Sequence, residues 1–369
     1  MKVPKLRFKE FTDKWEEKKL GEVFKIGNGK DYKNLNIGDI PVYGTGGLIT
    51  NVDDFLYDGE SVGIGRKGTI NKPLFLTGKF WTVDTLFYTY DFKNLLPKFL
   101  YYIFNNIDWL TYNEATGVPS LSKSTILKIS NFFPCLEEQK KIADFLSSID
   151  KKISITEEKL NLFEEYKKGI MQKIFNQKLR FKDENGNDYP EWEEKILGDI
   201  SSFTNGKGHE QFIKENGKYI VVNSKFISSN GAVKKYTSNL LVPLYINDIL
   251  MVMSDVPNGK AIGKCFLVNE NDKYSLNQRI CALRTNENSK YLYYFLNRNS
   301  YFLKFDDGIS QTNLKKDEVL NCPVFLPCLE EQKKIAYFLS AIDTKIEKLS
   351  DELENLKEFK KGLLQQMFI

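Results

Sequence analysis

Few residues of this chain have the types and spacing that catalysis requires. The only histidine is His209, which excludes metal sites built on paired histidines and triads that need a second one. Gly44-Thr45-Gly46-Gly47 is rich in glycine but lacks the Lys-Ser/Thr ending of a phosphate-binding loop. Glu138-Gln139-Lys140 is not preceded by the Pro-Asp pair that would complete a nuclease motif. The sequence therefore predicts a binding protein and not an enzyme.

Polar loops carry side chains that suit nucleic acid. Gly65-Arg66-Lys67-Gly68 puts two cations on a turn between small neighbours, where a phosphate backbone can approach closely. Gln278 and Arg279 are a pair that can form bidentate contacts with base edges. Any one such residue is also what an ordinary exposed loop contains, but the set occupies matching places in two regions. The predicted nucleic-acid-binding residues are Tyr43, Thr45, Gly46, Arg66, Lys67, Ser120, Ser122, Lys123, Lys207, Asn223, Lys225, Asn258, Lys260, Gln278, Arg279, Ser310, Gln311, Asn313 and Lys315.

One long stretch of the chain occurs twice. Residues 134–175 and 327–368 align without a gap, and 24 of the 42 aligned positions are identical. Both copies open with the same ten residues, Pro-Cys-Leu-Glu-Glu-Gln-Lys-Lys-Ile-Ala. The period is too long for a solenoid repeat, so the sequence predicts a duplicated module made of a domain and a helix.

The repeated stretch has the apolar spacing of a coiled-coil helix. Apolar residues recur every three or four positions in both copies, and Lys and Glu fill the other faces. The spacing misses one position in each copy, at Lys167 and at Lys360. A proline and then a Glu-Glu pair begin each copy, as suits a helix N-terminus. Core packing alone would also give an apolar stripe, but two matching seams in one chain predict that the helices pair with each other.

The segment between the helices indicates their direction. Each helix would be about 55–60 Å long at about 1.5 Å per residue, whereas residues 177–326 have the size of one domain, with a radius of gyration of about 15 Å. Such a domain can join neighbouring ends of an antiparallel pair but scarcely the distant ends of a parallel one. The predicted fold is α+β, with mixed α/β domains at 1–133 and 177–326, two antiparallel coiled-coil helices at 134–176 and 327–369 between them, and a pseudo-two-fold internal repeat.

The two domains, called head 1 (1–133) and head 2 (177–326), share their flanks and differ inside. Leu-Arg-Phe followed by Trp-Glu-Glu opens both heads. Apolar runs bounded by glycines predict that strands dominate each head. The predicted elements are helices at 98–107 and 291–297 and, in head 2, strands at 219–223, 248–254, 260–268 and 280–284.

Composition bounds the class of protein. The 369 residues are 41% apolar, enough for two domains with their own cores, and no apolar run of about eighteen residues indicates a membrane span. The five cysteines show no paired metal-ligand spacing, so reduced, buried thiols in a cytoplasmic protein are expected. The net charge is only +4, so a nucleic-acid surface would require its cations to be concentrated in patches.

The whole arrangement resembles a known family, the specificity subunit (S, HsdS) of type I restriction-modification systems. The repeated ten-residue opening at 134–143 and 327–336 is the most specific part of the resemblance, with Leu-Arg-Phe and Trp-Glu-Glu at each head's entry. The loops 116–123 and 308–315 are similar to the loop that closes such heads, although Gln311 and Asn313 depart from its pattern.

The resemblance implies a non-catalytic DNA-binding subunit. Each head would be a target recognition domain that reads one half of a bipartite site in double-stranded DNA, and the helices would set the distance between the halves. Two methyltransferase subunits and two restriction subunits would supply the chemistry, and S-adenosylmethionine, ATP and Mg²⁺ would be bound by them and not by this chain. The residues expected to contact these partners are Glu137, Glu138, Lys141, Glu330, Glu331 and Lys334.

A different class of protein is the alternative. A non-catalytic coiled-coil scaffold with two ligand-binding heads would also show two long helices, and the mild net charge favours it slightly. The repeat fits it less well, because a scaffold has little reason to keep the frame and vary only the interiors. Salt distinguishes the two, since DNA binding weakens steeply as salt rises.

Overall fold

The computed structural model describes residues 3–256 and 259–369, which form two compact units. Unit 1 contains the chain up to Lys159 together with Leu349–Ile369, and unit 2 is Leu160–Lys348. Each unit therefore contains one head and a part of both long helices. Among the described helices, none is long and apolar enough to cross a membrane.

The two predicted helices form close to their expected bounds. The first long helix is Leu136–Phe175 and the second is Leu329–Met367. Two glutamates lie in the first turn of each, Glu137 and Glu138 and the equivalent pair in the second copy, where negative charge is favourable. The proline of each copy lies just before the helix, so both helices begin two residues later than the repeat does.

The helices run antiparallel within each unit. In unit 1 the start of the first long helix shares a core with the end of the second, with Ile142 and Leu146 beside Leu363 and Met367. In unit 2 the start of the second long helix shares a core with the end of the first, and the residues involved are Ile335, Leu339, Ile342, Ile170 and Ile174. Since starts pack with ends in both units, the predicted antiparallel pairing is confirmed within each unit.

The missed seam positions, Lys167 and Lys360, are explained by ion pairs between the helices. In unit 1, Lys360 Nζ lies 2.5 Å from Asp150 Oδ1, and Tyr102 of head 1 donates to Asp150 Oδ2 at 2.8 Å. In unit 2 the equivalent residues repeat the contact. Lys167 Nζ lies 2.5 Å from Asp343 Oδ1, and Tyr294 of head 2 donates to Asp343 Oδ2 at 2.7 Å. A polar group thus fixes the register where the apolar seam is interrupted.

Head 1 is built from two four-stranded sheets and a strand pair at its entry. In the entry pair, Glu16–Lys19 runs antiparallel to Ser130–Phe133. The first sheet has the strand order Lys25–Asn28, Leu86–Tyr90, Ser61–Gly65 and Leu74–Leu76. The second sheet has the order Gly47–Val52, Ile40–Gly44, Lys79–Thr82 and Tyr57–Asp58. The helices are Leu20–Val23, Pro97–Asn106 and Lys123–Lys128, with a 3₁₀ turn at Trp109–Tyr112.

Head 2 repeats this plan. Its entry pair is Glu193–Ile196 with Pro323–Leu326. The first sheet has the order Ser201–Asn205, Ile280–Thr285, Ile249–Val252 and Cys265–Leu267. The second has three strands, Tyr236–Thr237, Tyr219–Val222 and Tyr274–Leu276, and Ser254–Asp255 pairs with Thr312–Asn313. The helices are Leu197–Ile200, Ser224–Ser228, Ser289–Leu296, Ser300–Leu303 and Lys316–Leu320, with a 3₁₀ turn at Glu210–Phe212.

The two heads therefore share a strand order that their sequences do not show. Read along each first sheet, the order of strands in the chain is the same, and in each second sheet an antiparallel hairpin is joined to a third strand in parallel. The interiors differ in sequence, as predicted, whereas the first sheets have the same topology and the second sheets differ by the strand Tyr57–Asp58, which only head 1 has. Sequence divergence is tolerated because a strand needs an alternating or apolar pattern and not particular side chains.

Most predicted elements of the heads form, but the strand predicted at 248–254 is two strands of different sheets, Ile249–Val252 and Ser254–Asp255. The helices at 98–107 and 291–297 are observed as Pro97–Asn106 and Ser289–Leu296. The strand predicted at 260–268 forms only at Cys265–Leu267 because the chain turns at Gly263, whose φ is +66°. The helices Lys123–Lys128 and Lys316–Leu320, between each closing loop and the last strand, were not predicted.

The cysteines are unpaired, as expected, but not all are buried. Cys265, Cys281 and Cys322 lie in the head 2 interior, whereas Cys135 is exposed and Cys328 is half-buried. Burial raises the pKa of Cys281 and of Cys322 to about 12. The prediction of buried thiols is therefore wrong for Cys135, which stands at the exposed entry of the first long helix.

Candidate nucleic-acid interface

Two loops of head 1 meet at one surface. The turn after the strand Ser61–Gly65 is joined to the loop 116–123 by backbone hydrogen bonds. Leu121 N donates to Arg66 O at 2.9 Å and Gly68 N donates to Pro119 O at 2.8 Å. Lys67 and Ser120 form a bridge between the two segments. The structure thus brings together residues that lie about fifty positions apart in the sequence.

These loops line an open cleft of about 610 Å³, called the head 1 cleft. Five predicted residues line it, and Asn28 and Phe87 add an amide and an aromatic face. Ser122 is also the N-cap of the helix Lys123–Lys128, since its Oγ accepts from Thr125 N. The predicted residues of this cleft are Arg66, Lys67, Ser120, Ser122 and Lys123.

The head 1 cleft is electropositive. Lys123 Nζ donates to the Ile26 carbonyl at 2.7 Å, and both Lys123 and Arg66 lie about 6 Å from the centroid of the Phe87 ring. Burial, and then the nearby Arg66 charge, lowers the pKa of Lys123. Among the described residues, no carboxylate forms an ion pair with Arg66 or Lys123. A bound phosphate would relieve the repulsion between these two cations.

The hairpin that contains Tyr43, Thr45 and Gly46 lies next to the cationic turn. It joins the strands Ile40–Gly44 and Gly47–Val52. The Oγ1 of Thr45 lies 3.8 Å from the position that a side chain on Gly68 would occupy. Thr45 therefore lies close to the cationic turn, but none of the three hairpin residues lines the cleft itself.

Head 2 has a cleft of about 310 Å³, called the head 2 cleft, which is lined by Glu210 and by residues of 223–225 and 277–279. Four predicted residues line it: Asn223, Lys225, Gln278 and Arg279. Asn223 caps the helix Ser224–Ser228 by accepting from Phe226 N at 2.9 Å. Arg279 has a φ of +73°, a conformation that non-glycine residues rarely adopt and that holds its exposed side chain at the rim of the strand.

The closing loop of head 2 is tied to the same region. Leu314 N donates to Met253 O at 2.7 Å, and Met253 N donates to Arg279 O at 2.9 Å. Gln311 Nε2 donates to Ser254 Oγ at 2.8 Å. Asn313 lies in the short strand that pairs with Ser254–Asp255. The bond from Leu314 to Met253 is the counterpart of the bond from Leu121 to Arg66 in head 1. The head 2 cleft itself lies on other loops and adjoins this pair through Arg279.

The other predicted residues of head 2 are more scattered. Ser310 is engaged with Asp307, whose Oδ2 accepts from the serine hydroxyl at 2.9 Å. Lys315 is the residue before the helix Lys316–Leu320, Lys207 bridges to Asn277, and Lys260 is exposed. Asn258 lies outside the described residues.

Sequence reasoning missed several lining residues. Asn28 lines the head 1 cleft, and Glu210, Ser224 and Asn277 line the head 2 cleft. Asn28 carried a signal, because Gly27-Asn28-Gly29-Lys30 corresponds to a similar polar glycine turn, Asn205-Gly206-Lys207-Gly208, in head 2. Glu210 carried none, since a lone glutamate in a loop is the commonest kind of surface residue.

Two of the six predicted partner-contact residues are internal. Glu138 is 1% exposed and accepts from Arg7 Nε and Nη2 at 2.7 and 2.8 Å. Glu331 is 0% exposed and accepts from Arg180 Nη2 at 2.9 Å and from Trp192 Nε1 at 3.0 Å. The prediction is corrected here, because a carboxylate enclosed in this way ties the entry segment of its own head to the helix and presents no surface to a partner.

The other four predicted partner residues remain at the surface. Glu137 and Glu330 are exposed at the starts of the two long helices. Lys141 forms an ion pair with Glu10, and Lys334 Nζ donates to the Lys182 carbonyl at 2.7 Å. The lysines are therefore partly committed to their own heads, whereas the two glutamates are free to contact another molecule.

The long helices also expose apolar side chains at equivalent positions. Tyr166 is 49% exposed in unit 2, and its repeat counterpart Phe359 is 54% exposed in unit 1. Leu136 and its counterpart Leu329 are each 40% exposed. An aromatic residue kept off the seam in both copies was a visible signal in the sequence alignment, and it was overlooked. Among the described residues, no cluster of three or more His, Cys, Asp or Glu side chains could hold a metal ion.

Comparison with known proteins gives one consistent family. Residues 12–165 and 189–358 each match the family model described as the type I restriction modification DNA specificity domain. The chain is 27% identical over 346 residues to the type I restriction enzyme MjaVIII specificity subunit of Methanocaldococcus jannaschii. The alignment covers 86% of this chain and 78% of that protein.

Solved structures agree on the fold. An S subunit of a type I restriction-modification system from M. genitalium aligns with a TM-score of 0.67 at 16% identity, over 100% of this chain and 99% of that one. A chain from a structure of the assembly and conformational transition of a type I R-M system aligns with a TM-score of 0.53, at 16% identity over 97% and 98%. The predicted α+β fold with two target-recognition domains is confirmed, and the chain belongs to the family of specificity subunits of type I restriction-modification systems.

Proposed function

We infer that this chain gives a type I restriction-modification enzyme its DNA sequence specificity, with one head for each half of a bipartite site. The observation that carries the proposal is the pair of clefts. Both are formed by loops of the same sheet framework, but by different loops. Residues of 66–67 and 115–123 give the head 1 cleft three cations, and residues 210, 223–225 and 277–279 give the head 2 cleft a mixture of amides, cations and one carboxylate. One framework with two linings is what reading two unlike half-sites requires.

The side chains divide into positioning and reading roles. Lys67 and Lys123 supply charge for phosphates, and Arg66 can serve either a phosphate or the O6 and N7 of a guanine. In head 2, Asn223 and Gln278 carry amides that pair with base edges, and Arg279 suits guanine. The chain itself contributes recognition and no bond-making chemistry.

Methyltransferase and restriction subunits are the proposed protein partners. The exposed Glu137 and Glu330, with the exposed aromatic pair Tyr166 and Phe359, occur at equivalent positions of the two repeats. Two copies of one partner would find the same contact twice on such a chain. S-adenosylmethionine, ATP and Mg²⁺ are assigned to those partners, which supply methyl transfer and DNA translocation or cleavage.

The test is a genome-wide map of methylated adenines in a host that expresses this chain with the methyltransferase subunit from its own genome. A split motif that appears only when this chain is present is the expected result. If the methyltransferase binds the chain and is active but no split motif appears, the coiled-coil scaffold is the better account. A steep loss of DNA affinity with rising salt would be the supporting measurement in vitro.

A further inference from the structure

The head 2 cleft contains a carboxylate that a DNA-binding surface would not need for affinity. Glu210 lines it together with Lys225, Gln278 and Arg279. The described residues that line the head 1 cleft include no acidic side chain. A carboxylate repels phosphates, so Glu210 lowers affinity for any DNA unless it meets a hydrogen-bond donor there.

A buried histidine fixes the position of Glu210. His209 is 1% exposed, and its Nδ1 donates to the Lys207 carbonyl at 2.7 Å. Because Nδ1 carries the proton, Nε2 can accept from the Ser275 hydroxyl at 2.8 Å. Glu210 is the next residue and begins the 3₁₀ turn Glu210–Phe212. The only histidine of the chain thus anchors the backbone immediately before this carboxylate.

The carboxylate is oriented but not neutralised. Gln278 Nε2 donates to Glu210 Oε1 at 2.9 Å. Lys225 and Arg279 line the same cleft, yet among the described residues neither forms an ion pair with Glu210. One oxygen, Oε2, is left as an acceptor without a donor from the described part of the chain. The site therefore presents a fixed acceptor beside the Gln278 amide, whose second N–H and oxygen have no hydrogen-bond partner among the residues that the structure describes.

In the major groove, a carboxylate can accept hydrogen bonds only from the exocyclic amines, which are N4 of cytosine and N6 of adenine. The O6 of guanine and the O4 of thymine are acceptors and would be repelled. We propose that Glu210, oriented by Gln278, is a specificity-determining residue of head 2 that accepts from the exocyclic amine of one base in its half-site. This inference rests on the proposed DNA-binding function and adds the chemical class of one recognised base.

The experiment uses the complex of this chain with its methyltransferase subunit. Methylated adenines are first mapped with the wild-type chain, and duplexes are then made in which each base pair of the head 2 half-site is replaced in turn. The wild-type complex should lose about tenfold or more in affinity when one particular cytosine or adenine is replaced. Glu210→Gln should reduce that discrimination to about twofold, because an amide has one acceptor and adds donors. Discrimination at all other positions, including the head 1 half-site, should stay as in wild type.

The matched control is Glu215→Gln, which removes the same charge from an exposed residue that does not line the cleft. A Glu210→Gln complex with unchanged discrimination at every position would overturn the inference. It would equally be overturned if the variant had a lower melting temperature or altered head 1 specificity, since the carboxylate would then serve the fold. Stronger binding to all duplexes without a change in preference would mean that it only repels phosphates. Absence of any split motif with the wild-type chain would instead refute the proposed function itself.

Discussion

The two units are nearly the same in the enclosed contacts between head and helix and differ in the residues that line their clefts. Arg7 with Glu138 in unit 1 and Arg180 with Glu331 in unit 2 make the same enclosed ion pair between a head and its helix. The clefts lie on different loops of the two heads and share no such pattern of side chains. The comparison indicates that internal contacts maintain the framework shared by the two units. Substitutions of the residues that line a cleft do not disturb these contacts.

One detail separates the two closed frames. Trp192 Nε1 donates to Glu331, whereas the equivalent Trp15 Nε1 is buried without a hydrogen-bond partner among the described residues. Both indole rings contact a ring of their own head, Phe99 or Tyr291. The packing is therefore common to both units, and the hydrogen bond belongs to unit 2 alone.

Removing the enclosed carboxylate should have the largest effect. Glu331→Ala should lower the free energy of unfolding of unit 2 by about 3 kcal/mol, because the buried Trp192 N–H loses its acceptor and Arg180, which keeps the Tyr189 and Pro190 carbonyls, loses its buried carboxylate partner. Urea denaturation, with hydrogen exchange to locate the loss, measures it. Glu330→Ala is the matched control and should change stability little, since Glu330 is exposed. Equal losses of unfolding free energy in the two variants would contradict the distinction between the enclosed Glu331 and the exposed Glu330.

The ion pairs that interrupt the seam should be equivalent in the two units. Asp150→Ala and Asp343→Ala should each cost about 1–3 kcal/mol, because a lysine and a tyrosine hydroxyl lose the same acceptor. The measurement is the urea midpoint of each variant. Combining Asp343→Ala with Lys167→Ala should cost less than the sum of the single changes. A large loss of stability in only one of the two aspartate variants would show that the ion pairs are not equivalent in the two units.

The open clefts should respond in binding and not in stability. Arg66→Gln should weaken DNA binding by about tenfold at low salt and make the salt dependence shallower by about one unit of slope. Lys128→Gln removes one charge from the neighbouring helix, outside the cleft, and serves as the control. If both variants lost the same affinity, general charge and not the cleft would govern binding.

The smallest expected effect concerns the two tryptophans. Trp192→Phe should destabilise by about 1–2 kcal/mol more than Trp15→Phe, since only the former deprives a buried carboxylate of a donor. Thermal unfolding of the two variants gives the comparison. Identical destabilisation would mean that ring packing alone accounts for both residues.

The sequence predicted the long helices well and the heads only in outline. The helices were accessible because a 3–4 apolar spacing repeats over forty residues and occurs twice. The partners of Lys167 and Lys360 could not be predicted from the sequence, because ion pairs between helices depend on a register that no local pattern encodes. The sequence shows Arg7 and Arg180 at the same position of a repeated Leu-Arg-Phe. Their ion pairs with Glu138 and Glu331 became evident only from the three-dimensional structure.

The cleft residues show a similar limit. Arg66, Lys67 and Ser120 were predicted from loop chemistry, and the structure brings them together through the Lys67–Ser120 bridge. The shared strand order of the heads was not visible, since strands of different sequence satisfy the same topology. Glu210 was missed because only its place beside Gln278 distinguishes it from other surface glutamates.

The division of the long helices between the units has a consequence for the order of events during synthesis. Unit 2 is continuous in sequence, so every residue it needs has been made once Lys348 is added. Unit 1 is not, because Phe368 packs against Trp15 and Phe99 of the first-made head. A growing chain usually completes its N-terminal domain first. Here the head that is made first is completed last, and until the second long helix has been made Trp15 and Phe99 lack the ring that packs against them.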